Sequence, residues 1–151
     1  MEFGWISIFG AGIVILMLIP NIVYAIRNPG EKNLCENRFM NISEQVGRYA
    51  CIVLMWLPLL VWKFAFPGVL PMLLYLFGNG ILLTAYWIVF AVYLRGKTAG
   101  RAIMLAVLPS CIFLLSGLTL RHWLLAGFAV LFSAAHIYVT CRNQTASRKN
   151  T

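Results

Sequence analysis

Residues 102–141 read AIMLAVLPSCIFLLSGLTLRHWLLAGFAVLFSAAHIYVTC. The stretch has no acidic residue and one interruption, Thr119-Leu120-Arg121-His122. A helix needs about 20 mostly apolar residues to cross a hydrocarbon core of ~30 Å. This stretch is about twice that long, so it predicts two spans, 102–118 and 123–141, folded as a tight helical hairpin. A four-span bundle with a re-entrant hairpin is the fallback.

Upstream, three further apolar runs are expected to span. One covers 70–94, with Pro67-Gly68 and Pro71 marking its start. One covers 46–66, entered through Asn41-Ile42-Ser43-Glu44, a helix-capping pattern. The first covers 5–26 and stops at the turn signal Arg27-Asn28-Pro29-Gly30. The chain 1–151 therefore reads as a single integral membrane domain, an all-α polytopic transmembrane bundle of five spans. Composition agrees: 62% of residues are hydrophobic and 11% charged, against roughly 45–50% and about 25% in soluble domains. That excludes a disordered chain, a disulfide scaffold and an ordinary water-soluble enzyme. The N-terminus lacks the basic segment and cleavage site of a signal peptide, so the first span is expected to be retained.

The net charge of +8 raises the question of nucleic acid, but orientation accounts for it. With five alternating spans, Arg27, Lys32, Arg38, Arg48, Arg95, Lys97, Arg101, Arg142, Arg148 and Lys149 fall on one side, leaving Lys63 and Arg121 on the other. Cytoplasmic loops carry such an excess. The expected setting is the plasma membrane, N-terminus outside and C-terminus inside, with the bilayer as partner and no nucleic acid. Trp5, Trp62 and Trp123 fall at the predicted outer boundary, and Tyr24, Tyr49, Tyr93 and Tyr138 near the inner one. Leu34, Cys35, Phe39, Ile42 and Val46 suggest a short interfacial helix.

Small and polar stripes mark helix faces that pack inward. The fifth span carries His122, Ala126, Ala129, Ser133, His136 and Thr140; the first carries Ser7, Gly10, Val14, Met17, Asn21, Tyr24 and Asn28. The second offers Glu44, Arg48, Cys51, Met55 and Pro58, and the third Tyr75, Asn79, Leu82, Tyr86, Val89 and Tyr93. Asn21 and His136 each precede a boundary arginine by six positions, about 9 Å at 1.5 Å per residue. Polar groups thus converge in the inner half of the bundle.

An ionisable residue at membrane depth is a functional candidate, so His136 leads the list. Its structural alternative is a neutral imidazole bonded to Asn21 or Tyr24. His122, beside Arg121, reads as a solvated loop residue. Glu44 and Arg48, one turn apart, are expected to pair, either as a solvated helix start or as a clamp at the inner mouth. Pro20, Pro58 and Pro109 each withdraw a backbone donor within a span. Asn79 reads as an interhelical hydrogen-bonding group. Cys35, Cys51, Cys111 and Cys141 show no ligand spacing, and no metal or cofactor is expected. Asn41-Ile42-Ser43 and Asn143-Gln144-Thr145 match the glycosylation pattern but lie on the predicted inner side. The chain has no Asp, and Glu2, Glu31, Glu36 and Glu44 cannot assemble a deep carboxylate pair.

In size, span number and basicity the chain resembles the tryptophan-rich sensory/translocator proteins, which bind porphyrins and sterol-like ligands. Their proline- and tryptophan-rich loop motif is missing here. Arg121-His122-Trp123 is similar to the Arg-His-Pro-aromatic run of isoprenylcysteine-type methyltransferases but lacks the proline, so no residue role is carried over from either family. The leading expectation is a non-catalytic protein that binds or transports a small lipophilic or anionic molecule. Asn21, Tyr24, Arg48, Tyr86 and His136 would line an inner-half cavity, with Glu44 at its mouth. The alternatives are a scaffold subunit of a homo- or hetero-oligomer and, more remotely, a lipid-modifying enzyme using His136 as base.

Overall fold

The structure is a computed structural model that describes residues 7–29, 33–57, 59 and 66–149. Among them are five helices and no strand: α1 (Ile8–Arg27), α2 (Arg38–Trp56), α3 (Val69–Arg95), α4 (Ala99–Thr119) and α5 (Trp123–Lys149). Trp5, Lys32, Pro58, Trp62 and Lys63, used above as boundary or stripe residues, lie outside the described residues. Four helices, α1, α3, α4 and α5, are long and apolar enough to cross a membrane.

Hydropathy misplaced the second helix. It begins at Arg38 rather than 46 and ends at Trp56 rather than 66. Asn37 starts it early, its side chain accepting from the Met40 N–H. It stops because Leu57 precedes a proline, and such a residue is pushed out of the helical region; Leu57 sits at φ −109°, ψ 126°. The expected interfacial helix is the opening of α2. Phe39, Ile42, Val46, Tyr49, Val53 and Trp56, at alternating steps of three and four, form its exposed stripe, while Leu34 and Cys35 precede the helix. Glu44, Gly47, Cys51, Leu54 and Met55 face the interior. The exposed stripe is apolar, and the one acidic residue of the helix, Glu44, is turned inward.

The helices alternate in direction. At one end the Ser7 N–H donates to the Trp56 carbonyl at 3.2 Å, joining the start of α1 to the end of α2. At the other, Lys97 Nζ donates to Asn28 Oδ1 at 3.1 Å and the Leu34 N–H to Asn143 Oδ1 at 2.9 Å. These bonds gather the first and third connections and the end of α5. The end so formed carries Arg27, Arg38, Arg95, Lys97 and Arg101.

α4 is the central helix, packed between α3 and α5, and α5 packs in turn on α2. Sequence reasoning gave α4 no inward stripe, yet Ala102, Ala106, Ser110, Phe113, Ser116 and Gly117 are all buried. Its small residues permit the close approach: a Cβ on Gly117 would lie 2.7 Å from the Ala126 nitrogen of α5. Gly47 of α2 is equally pressed, 2.9 Å from Phe132 Cβ. Two prolines interrupt helices, and the carbonyl freed by the first is reused. Pro20 has no N–H for the carbonyl of Leu16, which instead accepts from Trp87 Nε1 at 3.1 Å, tying α1 to α3.

His122 is not a loop residue in solvent. It is fully buried and caps α5, its Nδ1 accepting from the Leu125 N–H at 3.1 Å. The chain turns there in a left-handed residue, Arg121 at φ 52°. The Arg121 N–H donates to Leu118 and the His122 N–H to Gly117, which closes α4 as a Schellman motif.

Candidate functional site: a cavity at the basic end of the bundle

A cavity of about 680 Å³ opens between α1, α3, α4 and α5. α1 contributes Asn21 and Tyr24. α3 contributes Tyr86, Phe90 and Tyr93, and α4 contributes Ala102, Leu105 and Ala106. From α5 come His136, Thr140, Asn143, Gln144 and Ser147, and the segment before α2 adds Asn33 and Leu34. The polar end is thus built of amides and hydroxyls, and the opposite wall of Phe90, Leu105 and Ala106.

Each functional side chain has a local reason for its place. Asn21 follows the proline interruption and donates from Nδ2 to the Met17 carbonyl at 3.0 Å, and it shares the cavity lining with Tyr86. Tyr24 stands edge-on to Phe90 and tilted against Tyr93, both at 6.0 Å between centroids. The Lys97 ammonium lies 5.0 Å above the Tyr24 ring, a cation–π contact that, with its bond to Asn28, pins the end of α1. Asn143 and Asn41, the two asparagines of glycosylation-type triplets, are both bonded: Asn143 to the Leu34 N–H, Asn41 to Asn33 Nδ2 and the Cys35 carbonyl.

His136 takes neither of its expected partners. Its Nδ1 lies 3.0 Å from Glu44 Oε1, and its ring stacks on Phe132 at 4.8 Å and 17°. Glu44 also accepts from Arg48 one turn along α2. The expected Glu44–Arg48 pair therefore forms, but neither residue lines the cavity. Glu44 is buried behind His136, and Arg48 stands 38% exposed at its side. A carboxylate held between a guanidinium and an imidazole fixes the orientation of the ring, as a ligand-binding or catalytic histidine requires.

Of the six residues singled out from sequence, Asn21, Tyr24, Tyr86 and His136 meet at the cavity, and Glu44 and Arg48 stand behind it. Asn33, Asn143, Gln144 and Ser147 were missed. A signal for part of this was present: His136, Thr140, Asn143 and Ser147 continue the fifth stripe in steps of four, three and four. The fifth span was expected to end at 141, whereas α5 runs on to Lys149.

Away from the cavity, Asn79 does bond between helices, its Nδ2 donating to Ser116 Oγ of α4 at 3.1 Å. The four cysteines are free thiols.

The class these features define is a small helical-bundle protein whose four long apolar helices suit a lipid bilayer. Comparison with protein-family models, with curated proteins and with solved structures finds no match to this chain.

Proposed function

We propose that the chain is a five-span plasma-membrane protein that binds, or passes, a small amphipathic molecule through the cavity at its basic, cytoplasmic end. The cavity carries this reading. Its ~680 Å³ falls within the size range of small-molecule sites, and its lining pairs an apolar wall with a few convergent polar groups. Spanning by α2 is supported by its exposed apolar stripe, which with Glu44 turned inward suits lipid. Orientation rests on the basic residues gathered at the cavity end. The test is thermal-shift screening of purified full-length protein against lipids and metabolites, with His136→Ala and Asn21→Ala alongside. A ligand that raises the Tm of the wild type but not of these variants supports the reading. Failure of any ligand to stabilise the wild type, or an effect untouched by both substitutions, overturns it.

One observation favours a second reading, a subunit of a homo-oligomer. A shallow apolar groove of about 450 Å³ runs along α3 past Gly80 and Ala85, flanked by Phe77, Ile81 and Ile88. Small residues in an apolar groove permit close helix–helix contact in lipid. A Gly80→Leu variant that lowers the oligomeric mass of the detergent-purified protein would support it.

A further inference from the structure

We infer that the cavity selects an uncharged amphiphile through a single hydroxyl or N–H group, which donates to Nε2 of His136; this rests on reading the cavity as a binding site. The first observation is a hydrogen-bond direction. Glu44 accepts from Arg48 and stands 3.0 Å from His136 Nδ1. An ionised carboxylate only accepts, so Nδ1 must donate. In a neutral imidazole the proton is then on Nδ1 and the lone pair on Nε2. Stacking on Phe132 at 4.8 Å fixes the plane of the ring, so Nε2 presents an oriented acceptor at the cavity wall.

The second observation is charge. Among the described residues, the cavity lining includes no Lys, Arg, Asp or Glu. Two described cations beside it are already engaged: Arg48 with Glu44, and Lys97 with Asn28 and the face of Tyr24. Among the described lining residues an anionic head would find no cation and a cationic head no carboxylate, and desolvating either without a partner is costly. A hydroxyl meeting a lone pair, with its apolar body against Phe90 and Leu105, leaves no polar group unmatched. The expected class is therefore narrower than lipophilic or anionic: a neutral alcohol or N–H amphiphile.

Two measurements on the full chain test this. The protein has two histidines, so a nitrogen spectrum of histidine-labelled protein, assigned with His122→Asn, reads both tautomers. His136 is expected to be protonated on Nδ1 and His122, whose Nδ1 accepts from Leu125, on Nε2. In parallel, thermal shifts compare dodecanol with dodecyl methyl ether and dodecanoate on protein in lipid nanodiscs. Dodecanol should raise the wild-type Tm, the ether and the carboxylate should not, and the rise should be lost in His136→Phe, which retains an aromatic ring on Phe132. A proton on Nε2 of His136, or equal stabilisation by ether or dodecanoate, overturns the inference and leaves the binding reading standing. Stabilisation by none of the three, with the expected tautomers, overturns the inference, and the binding reading then stands or falls on the wider ligand screen. If His136→Phe does not fold, the tautomers and the alcohol–ether contrast still decide.

Discussion

His136 on α5 and Glu44 on α2, 92 positions apart, meet at 3.0 Å between Nδ1 and Oε1. The carboxylate is 5% exposed as a residue, so removing His136 leaves a buried acceptor with Arg48 as its one remaining partner among the described residues. Glu44→Ala and His136→Ala should each lower stability by about 1–3 kcal/mol. Because they remove the same contact, the double variant should lose less than the sum, by about 1 kcal/mol. A cycle of unfolding measurements in detergent reads this directly, and strict additivity would remove the pair from the account of the fold.

Glycines divide sharply by what lies opposite them. A Cβ on Gly47 or Gly117 meets another helix's backbone at 3.0 Å or less, and one on Gly10 collides with the Met55 carbonyl. Alanine at these positions must push α2 from α5, α4 from α5, or α1 from α2, at a cost of about 1–3 kcal/mol each. Gly80 and Gly127 have nothing within 4 Å. Alanine there should be neutral or gain up to ~1 kcal/mol from helix propensity. Equal losses at both sets would mean that the close helix crossings are wrong.

This contrast also explains what the sequence could reveal. The runs forming α1, α3, α4 and α5 are uninterrupted in hydropathy, and their expected ends fall within a few residues of the observed ones, the polar extension of α5 apart. α2 was misplaced because its first part mixes Arg38, Asn41, Ser43, Glu44, Gln45 and Arg48 with its apolar residues, so a hydropathy window slides past its true start at Arg38. Asn21, Tyr24, Tyr86 and His136 were found by helix register and depth, which are local properties. The Glu44–His136 bond was not, since it depends on how closely α2 approaches α5, set by Gly47 against Phe132. His122 was misread for a similar reason. Nothing in Arg121-His122-Trp123 says that the ring turns inward to cap its own helix.

The alternating bundle makes a prediction about sidedness. In a cysteine-free background, a cysteine at position 97, in the connection between α3 and α4, should label only from the cytoplasmic face of sealed vesicles. One at position 121, between α4 and α5, should label only from outside. Labelling of both from the same face would replace the α4–α5 hairpin by a re-entrant pair.

Arg121 holds a left-handed conformation, φ 52°, that a side chain disfavours. The Schellman turn needs that conformation but makes its bonds through backbone groups alone. Arg121→Gly should therefore relieve strain and raise stability by about 1 kcal/mol. A loss in Tm would mean that the guanidinium, exposed at this boundary, stabilises the bundle in some other way.

His122 gives the fold a dependence on pH whose sign follows from its cap. The neutral ring accepts the Leu125 N–H at Nδ1, and a proton there would abolish the acceptor. Burial accordingly pushes the imidazole below its ordinary 6.5. Above about pH 6.5 the ring is neutral whether the chain is folded or not, and it contributes no pH dependence. Below that value the unfolded chain binds a proton that the folded chain refuses, so stability falls as pH falls, until the depressed folded value is passed. Thermal unfolding between about pH 8 and about pH 5 should show this decline in the wild type. His122→Asn keeps a capping side chain without a titrating one, and its decline should be shallower by the share belonging to His122. Equal declines in both proteins would move the dependence to another group.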